Sequence, residues 1–98
     1  MQTDEFEWDD AKATLNFDKH RISFEEATFA FDDPDGVEDM DETASYDEHR
    51  FKWLGSDGQR LLAVIYTDRG SRRRIISARE ADDDEQADYD QSRRNREP

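Results

Sequence analysis

Arginine crowds into one short stretch of this chain: Arg72-Arg73-Arg74-Ile75-Ile76-Ser77-Ala78-Arg79. A guanidinium can grip a phosphate through two parallel N–H donors, so several on one surface suit a nucleic-acid backbone. Strand alternation places Arg72 and Arg74 on one face and Arg73 on the other. The same residues would equally suit a solvated strand end paired with carboxylates, which this chain has in excess. Glu48 and Arg50 are two apart and share a strand face; the carboxylate is either a base beside an Arg-held phosphate or half of a surface ion pair of little worth. His20 follows Lys19 at an expected helix end. An imidazole there can move protons near neutral pH, and the helix dipole favours a cation at the same place with no chemistry at all. His49 is the only other histidine and cysteine is absent. That argues against multi-histidine and thiolate metal sites, and excludes disulfides and a cysteine nucleophile. Gly-rich phosphate loops, Ser-His-Asp arrangements and zinc spacings are missing, and no cofactor is expected.

These residues need elements to hold them. Phe6 to Trp8 alternate with Glu7 as a short strand. Asp9 or Asp10 caps a helix reaching about Lys19, with Trp8, Ala11 and Leu15 at the spacing of one buried face. Ser23 and Glu26 form a capping box before Phe24, Ala27 and Phe31, and Asp32-Asp33-Pro34 ends that second helix. Val37 and Met40 mark a short edge strand or a loop. Three strands follow: residues 49–54, the continuously apolar 61–66, and 72–78. The turns between them are Ser56-Asp57-Gly58 and Asp68-Arg69-Gly70. This spacing predicts an antiparallel meander. Phe51 and Trp53 lie in it at a spacing that suits stacking on bases and suits core packing better. Asp82 to Asp84 open a last helix reaching about Ser92, with Ala81, Ala87 and Tyr89 as a thin apolar face. The expected whole is one α+β domain over residues 1–92, with a disordered tail at 93–98.

Composition sets the boundaries of this reading. Ninety-eight residues make one domain with a thin core. The apolar fraction is 33%, the charged fraction 42% and the net charge -13. The charge is divided by region. Residues 1–48 hold 3 Lys/Arg against 17 Asp/Glu, residues 49–79 hold 8 against 2, and residues 80–98 hold 3 against 8. A basic block is thus set inside an acidic protein, and a local basic face can attract nucleic acid that the whole would repel. Asp supplies 17 of the 27 acids and Lys only 3 of the 14 bases, a bias that fits work in concentrated salt or an acidic surface for a basic partner. No leader pattern opens the chain and no apolar run reaches a membrane-spanning length, so a cytoplasmic protein is expected.

Read in order, several short stretches resemble the BrnT toxins of type II toxin–antitoxin systems, along most of residues 6–89. They are Phe6-Glu7-Trp8-Asp9, Lys19-His20, Ser23-Phe24-Glu25-Glu26-Ala27, Phe31-Asp32-Asp33-Pro34, Glu48 with Arg50, Val64-Ile65-Tyr66-Thr67, Arg74-Ile75-Ile76-Ser77-Ala78-Arg79, and Glu85 with Tyr89. The resemblance implies a RelE-like fold, a small antiparallel sheet with helices packed on it. It implies an endoribonuclease that blocks translation. It also implies a DNA-binding antitoxin partner, BrnA, which neutralises the toxin and with it represses their operon, so operator DNA is met only through that complex. Lys19, His20, Glu48, Arg50, Arg74 and Arg79 fall on the family's recurrent polar positions. The expected reaction is metal-independent attack of the ribose 2′-hydroxyl on the adjacent phosphate, with Glu48 and His20 as base and acid in either order. Arg50, Arg74 and Arg79 would stabilise the charge growing on the phosphoryl oxygens, while Lys19, Arg69 and Arg72 would bind flanking RNA. Three features depart from the family: Arg21 stands where glycine usually follows Lys-His, residues 82–90 are strongly acidic where the last helix is usually basic, and the whole chain is unusually acidic. The rival expectation is an inactive toxin-like module that binds a basic partner through its acidic faces.

Overall fold

The computed structural model describes residues 2–40 and 49–96, so Glu48 lies outside the described residues. Along the chain come β1 (Phe6–Glu7), α1 (Asp10–His20), α2 (Phe24–Ala30), β2 (Val37–Met40), β3 (Phe51–Ser56), β4 (Leu61–Arg69), β5 (Arg72–Glu80) and α3 (Asp83–Arg96). They build one sheet in the order β1-β5-β4-β3-β2. β3 to β5 form the expected antiparallel meander, and Val37–Met40, open between edge strand and loop in the sequence, extends it as the antiparallel edge strand β2. Gly58 (φ 100°) and Gly70 (φ 62°) take the left-handed backbone at its two tight turns. The sheet is mixed rather than wholly antiparallel, because β1 joins β5 in parallel, with Phe6 opposite Arg73 and Glu7 opposite Arg74. A two-residue strand has too little pattern to reveal its direction.

Two layers cover the sheet. On one face α1 and α2 pack over Leu62, Val64, Ile75 and Ala78, and Trp8, Ile22, Phe24, Ala27 and Ala30 complete that core. Phe31 stacks on Trp53 at 5.5 Å and meets Tyr66 edge-on at 5.2 Å. Trp53 and Phe51 therefore serve packing: the Trp53 indole donates to the Ala30 carbonyl (2.7 Å) and Phe51 tilts against Tyr66. Gly55 permits this approach, since a Cβ there would stand 2.2 Å from the Ala30 carbonyl oxygen. On the other face α3 covers only one end of the sheet, where Tyr89 packs with Leu54, Leu61 and Ala63. The Tyr89 hydroxyl donates to Asp33 (2.5 Å), which also accepts from the Ser56 and Asp35 N–H groups. Burial alone would raise the Asp33 carboxyl, but these donors outweigh it and hold the group below its ordinary value, while burial and Asp33 push Tyr89 up to about 12.

The helix ends follow elementary capping. Asp9 accepts from the Ala11 and Lys12 N–H groups, and Ser23 accepts from that of Glu26. Only this half of the expected capping box forms, because the Glu26 carboxylate turns instead to Arg60 at 3.1 Å. Arg21 adopts φ 58°, ψ 32°, the left-handed cap that glycine takes more easily. The turn after Lys19-His20 thus keeps a glycine-like shape without glycine.

The buried face of α1 differs from the expected one. Leu15 is 68% exposed and Ala11 is exposed, whereas Asn16 is buried. β1 ends after Glu7, leaving the outer edge of β5 open beyond it. Asn16 fills that place: its side chain donates to the Ala78 carbonyl (2.8 Å), accepts from the Ala78 N–H (3.1 Å) and donates to the Ile22 carbonyl (3.1 Å). An amide here does what another strand would do, and unpaired backbone groups in its absence cost about 1–3 kcal/mol each. Asn16→Ala should therefore lower unfolding free energy by about 2–4 kcal/mol, read as a fall in the urea midpoint; an unchanged midpoint would contradict this role. α3 also runs to Arg96, four residues beyond its expected end at Ser92. Its acidic first turn, Asp83 to Glu85, suits the helix dipole.

Candidate active site

Side chains opposite one another on paired strands share a face. Arg72, Arg74 and Arg79 lie opposite Arg69, Thr67 and Ala63, all odd-numbered positions of β4, so all three arginines project to the α3 side. This is not what unbroken alternation gives. Arg74 and Arg79 are five residues apart and would face opposite ways in a regular strand. The register slips between Ile65 and Tyr66, passing over Ile76, and this bulge brings the two back to one face. Lys52 lies opposite Ile65 on the same face, and Arg50, two residues earlier, continues it. Arg73 projects to the other side, its guanidinium 4.7 Å from the Phe31 ring centre and 5.6 Å from that of Tyr66.

The cations on the α3 side fall into two groups. Under α3, Glu85 is buried between Arg79 and Lys52. Arg79 holds it through both terminal nitrogens (2.6 and 3.0 Å) and Lys52 lies 2.9 Å away. Glu85 also exchanges hydrogen bonds with Asp82: it accepts from the Asp82 N–H (3.0 Å), and its own N–H donates to the Asp82 carboxylate (2.8 Å). Its side chain is 5% exposed. Burial would raise its carboxyl, but the Arg79 guanidinium, the Asp82 N–H and Lys52 dominate and lower it to about 2. Lys52 is correspondingly held above its ordinary value by Glu85. The sequence contained a signal for this: Asp82 and Glu85 have capping-box spacing.

Beyond the end of α3 no helix among the described residues covers the sheet face, and here Arg69 and Arg72 lie opposite one another, with Arg74 opposite Thr67 and Arg50 at the entry to β3. Arg74 pairs with Glu7 at 2.7 Å, and Arg72 donates to the Thr3 carbonyl at 2.6 Å. Thr67 donates to the His49 carbonyl (2.6 Å), pinning the entry to β3 just before Arg50. Arg50 is half-buried, with its Nε shielded from solvent. Lys52 escaped sequence reasoning, and Glu7, Thr67 and Glu85 entered it only within the family-like stretches and without a role, because each depends on a register between distant strands or on the placement of α3.

Lys19 and His20 are not brought to this face. α1 starts three residues after Glu7 and has reached the level of Ala78 by Asn16. His20 is one helical turn further on, about 6 Å along the axis, at the outer edge of β5. Among the described residues no group of three or more His, Cys, Asp and Glu could hold a metal ion. No helix among them is long and apolar enough to cross a membrane.

Glu85 makes stability depend on pH. Its carboxyl is at about 2 when folded against an ordinary 4.5, so the unfolded chain takes up the proton first and acid favours unfolding. The linkage is about 3 kcal/mol, fully present above pH 5 and lost as pH falls from about 4.5 towards 2. Urea midpoints measured from pH 6 to pH 3 should fall for the wild type and fall less for Glu85→Gln. Parallel curves would show that Glu85 is not the group responsible.

The arrangement is a basic sheet face, partly neutralised by Glu7 and Glu85, with Arg50, Arg69, Arg72 and Arg74 on the part that no helix among the described residues covers. Comparison with known proteins agrees with the pattern of residues that builds it. The family model described as ribonuclease toxin, BrnT, of type II toxin-antitoxin system matches residues 8–85, which takes in Arg50, Arg74, Arg79 and Glu85. Among curated proteins, none is similar enough to count as a relative. With most of its length matched, and with the matched length holding β3, β4, β5 and the residues that arm them, the chain belongs to the BrnT family of type II toxin–antitoxin ribonuclease toxins.

Proposed function

We propose that the protein is a metal-independent endoribonuclease that holds RNA on the open half of its sheet, blocks translation by cutting it, and is neutralised by a BrnA-like DNA-binding antitoxin. The observation that carries this reading is the bulge in β5, which turns Arg72, Arg74 and Arg79 to the same side as Arg50. The 2′-hydroxyl attacks the adjacent phosphorus. Its proton goes to Glu48, two residues before Arg50, and the departing 5′-oxygen takes a proton from solvent, because His20 stands away from this face. The products are a 2′,3′-cyclic phosphate and a 5′-hydroxyl. Arg50 and Arg74 oppose the charge that grows on the phosphoryl oxygens, while Arg69 and Arg72 hold flanking phosphates. Arg79, with both terminal nitrogens on Glu85, contributes mainly by positioning α3 and adding positive potential. Glu7, 2.7 Å from Arg74, tunes that guanidinium and is a second carboxylate beside the phosphate path.

End-group analysis of cleaved RNA tests the chemistry. Cyclic phosphate and 5′-hydroxyl termini, formed equally well in EDTA, are expected. Products bearing 5′-phosphates, or cleavage abolished by EDTA, would overturn it.

One observation favours a second reading. Arg74, Arg79 and Lys52 all carry carboxylate partners from the same chain. A toxin-like fold whose cations are neutralised in this way would suit an inactive module that binds a basic partner. Such a protein would leave RNA uncut across salt concentrations while still binding its partner.

A further inference from the structure

The layer opposite the basic face carries a groove with no role in the reaction above. It lies between α1 and the start of α2, encloses about 330 Å³, and is lined by Trp8, Ala13, Phe17 and Phe24 with Asp10, Asp18 and Glu25 around them. No lysine or arginine lines it, and the cation beside its walls is Arg21, whose guanidinium lies 5.7 Å from the Phe17 ring centre. Asp10, Ala13, Thr14, Phe17 and Asp18 follow one another at i, i+3, i+4, i+7 and i+8, so a single stripe of α1 forms one wall. Large apolar side chains are exposed on this layer in a chain poor in them: Phe17 is 44%, Phe29 61% and Leu15 68% exposed. Phe29 follows Glu25 by one turn of α2, and Leu15 precedes Asp18 by three residues, so both stand next to carboxylates at the groove. The core does not need these side chains, and water does not favour them.

We infer that this groove docks a basic amphipathic helix of a partner protein, its apolar residues packing on Phe17 and Ala13 above the buried Trp8 and Phe24, and its Lys or Arg side chains meeting Asp10, Asp18 and Glu25. Charge selects the occupant. A second copy meeting it with the same acidic layer would be repelled, and nucleic acid would be repelled likewise. An apolar stripe flanked by cations matches both the floor and the rim. The site is separate from the sheet face, so the inference stands or falls apart from the ribonuclease reading.

The test uses the full chain, labelled with nitrogen-15, in low salt. The probe is a synthetic helical peptide with Leu at i, i+4 and i+7 and Arg at the flanking positions. Amide shifts should concentrate at Ala13, Thr14, Phe17, Phe24 and Glu25. Phe17→Ser should weaken binding at least tenfold; because Phe17 is part-exposed, an otherwise unchanged amide spectrum will verify the fold. The double variant Asp18→Lys with Glu25→Lys should lose the Arg peptide and gain one carrying Glu in its place. RNA cleavage should be unaffected by either variant. Shifts spread over the acidic surface, shifts on β3 and β5, no binding at millimolar peptide, or equal binding by the Phe17 variant would each overturn the inference. So would self-association of the free protein through these same residues, which would make a second copy the occupant.

Discussion

Arg50→Ala should lower the rate of RNA cleavage by about 10²–10³, which corresponds to about 2.7–4 kcal/mol of barrier if this guanidinium acts as one preorganised donor to the developing charge. Arg50 stands at the entry to β3, where Thr67 fixes the backbone through the His49 carbonyl. It is half-buried, on the sheet face that also carries Arg72 and Arg74. Arg50→Lys should recover only part of the rate, because an ammonium keeps the charge and loses the two-pronged geometry. Binding of uncleavable RNA should weaken less than the rate, which separates stabilisation of the transition state from simple attraction. Steady-state cleavage and the affinity for a 2′-deoxy substrate, measured side by side, check this. A variant that loses affinity and rate equally would reduce Arg50 to a binding group.

Glu85→Ala should be the most destabilising single change on this face, lowering unfolding free energy by about 3–5 kcal/mol. It removes the carboxylate between Arg79 and Lys52 and leaves two cations facing each other under α3. It also removes the acceptor of the Asp82 N–H at the start of that helix. Differential scanning calorimetry should show a large fall in Tm with loss of α3 packing, reported by Tyr89. A change within 1 kcal/mol would mean that the triad is solvated and weak, as exposed ion pairs are. Arg79→Ala shares this mechanism, so activity lost in that variant would reflect α3 coming loose as much as a missing phosphate contact. Arg50 and Arg74 are therefore better probes of the chemistry than Arg79.

The sequence was most informative where one local rule settled the outcome. Gly58 and Gly70 marked turns, Asp9 and Ser23 capped helices, and the apolar run from Leu61 gave the central strand. It misled where the partner was distant. Leu15 carried the periodicity of a buried face, but the unpaired edge of β5 placed Asn16 inwards instead. Arg74 and Arg79 could not be assigned to one face without the bulge at Ile76, which alternation does not announce. Lys52 looked like an ordinary charge and Glu85 had only its family-like place beside Tyr89; the β3–β4 register with the docking of α3 sets Lys52 against the buried Glu85. The family resemblance compensated for some of this, since it drew Arg50, Arg74 and Arg79 together before any geometry was known.

The acidity of the chain bears on how the site would work. Concentrated salt weakens phosphate contacts steeply, so RNA bound under those conditions would depend on close geometry rather than on long-range attraction. This places the weight of the account on the short-range arrangement of Arg50 and Arg74.

The most direct measurement is cleavage of RNA by the purified protein in EDTA, over a range of potassium chloride, with the wild type beside Arg50→Ala and Arg74→Ala. The account predicts cleavage by the wild type at every salt concentration at which it is folded, and loss of about 10²–10³ in each variant with the fold retained. Folded wild type that leaves RNA intact throughout, or variants that cut as fast as it does, would contradict the claim that this sheet face is a ribonuclease site.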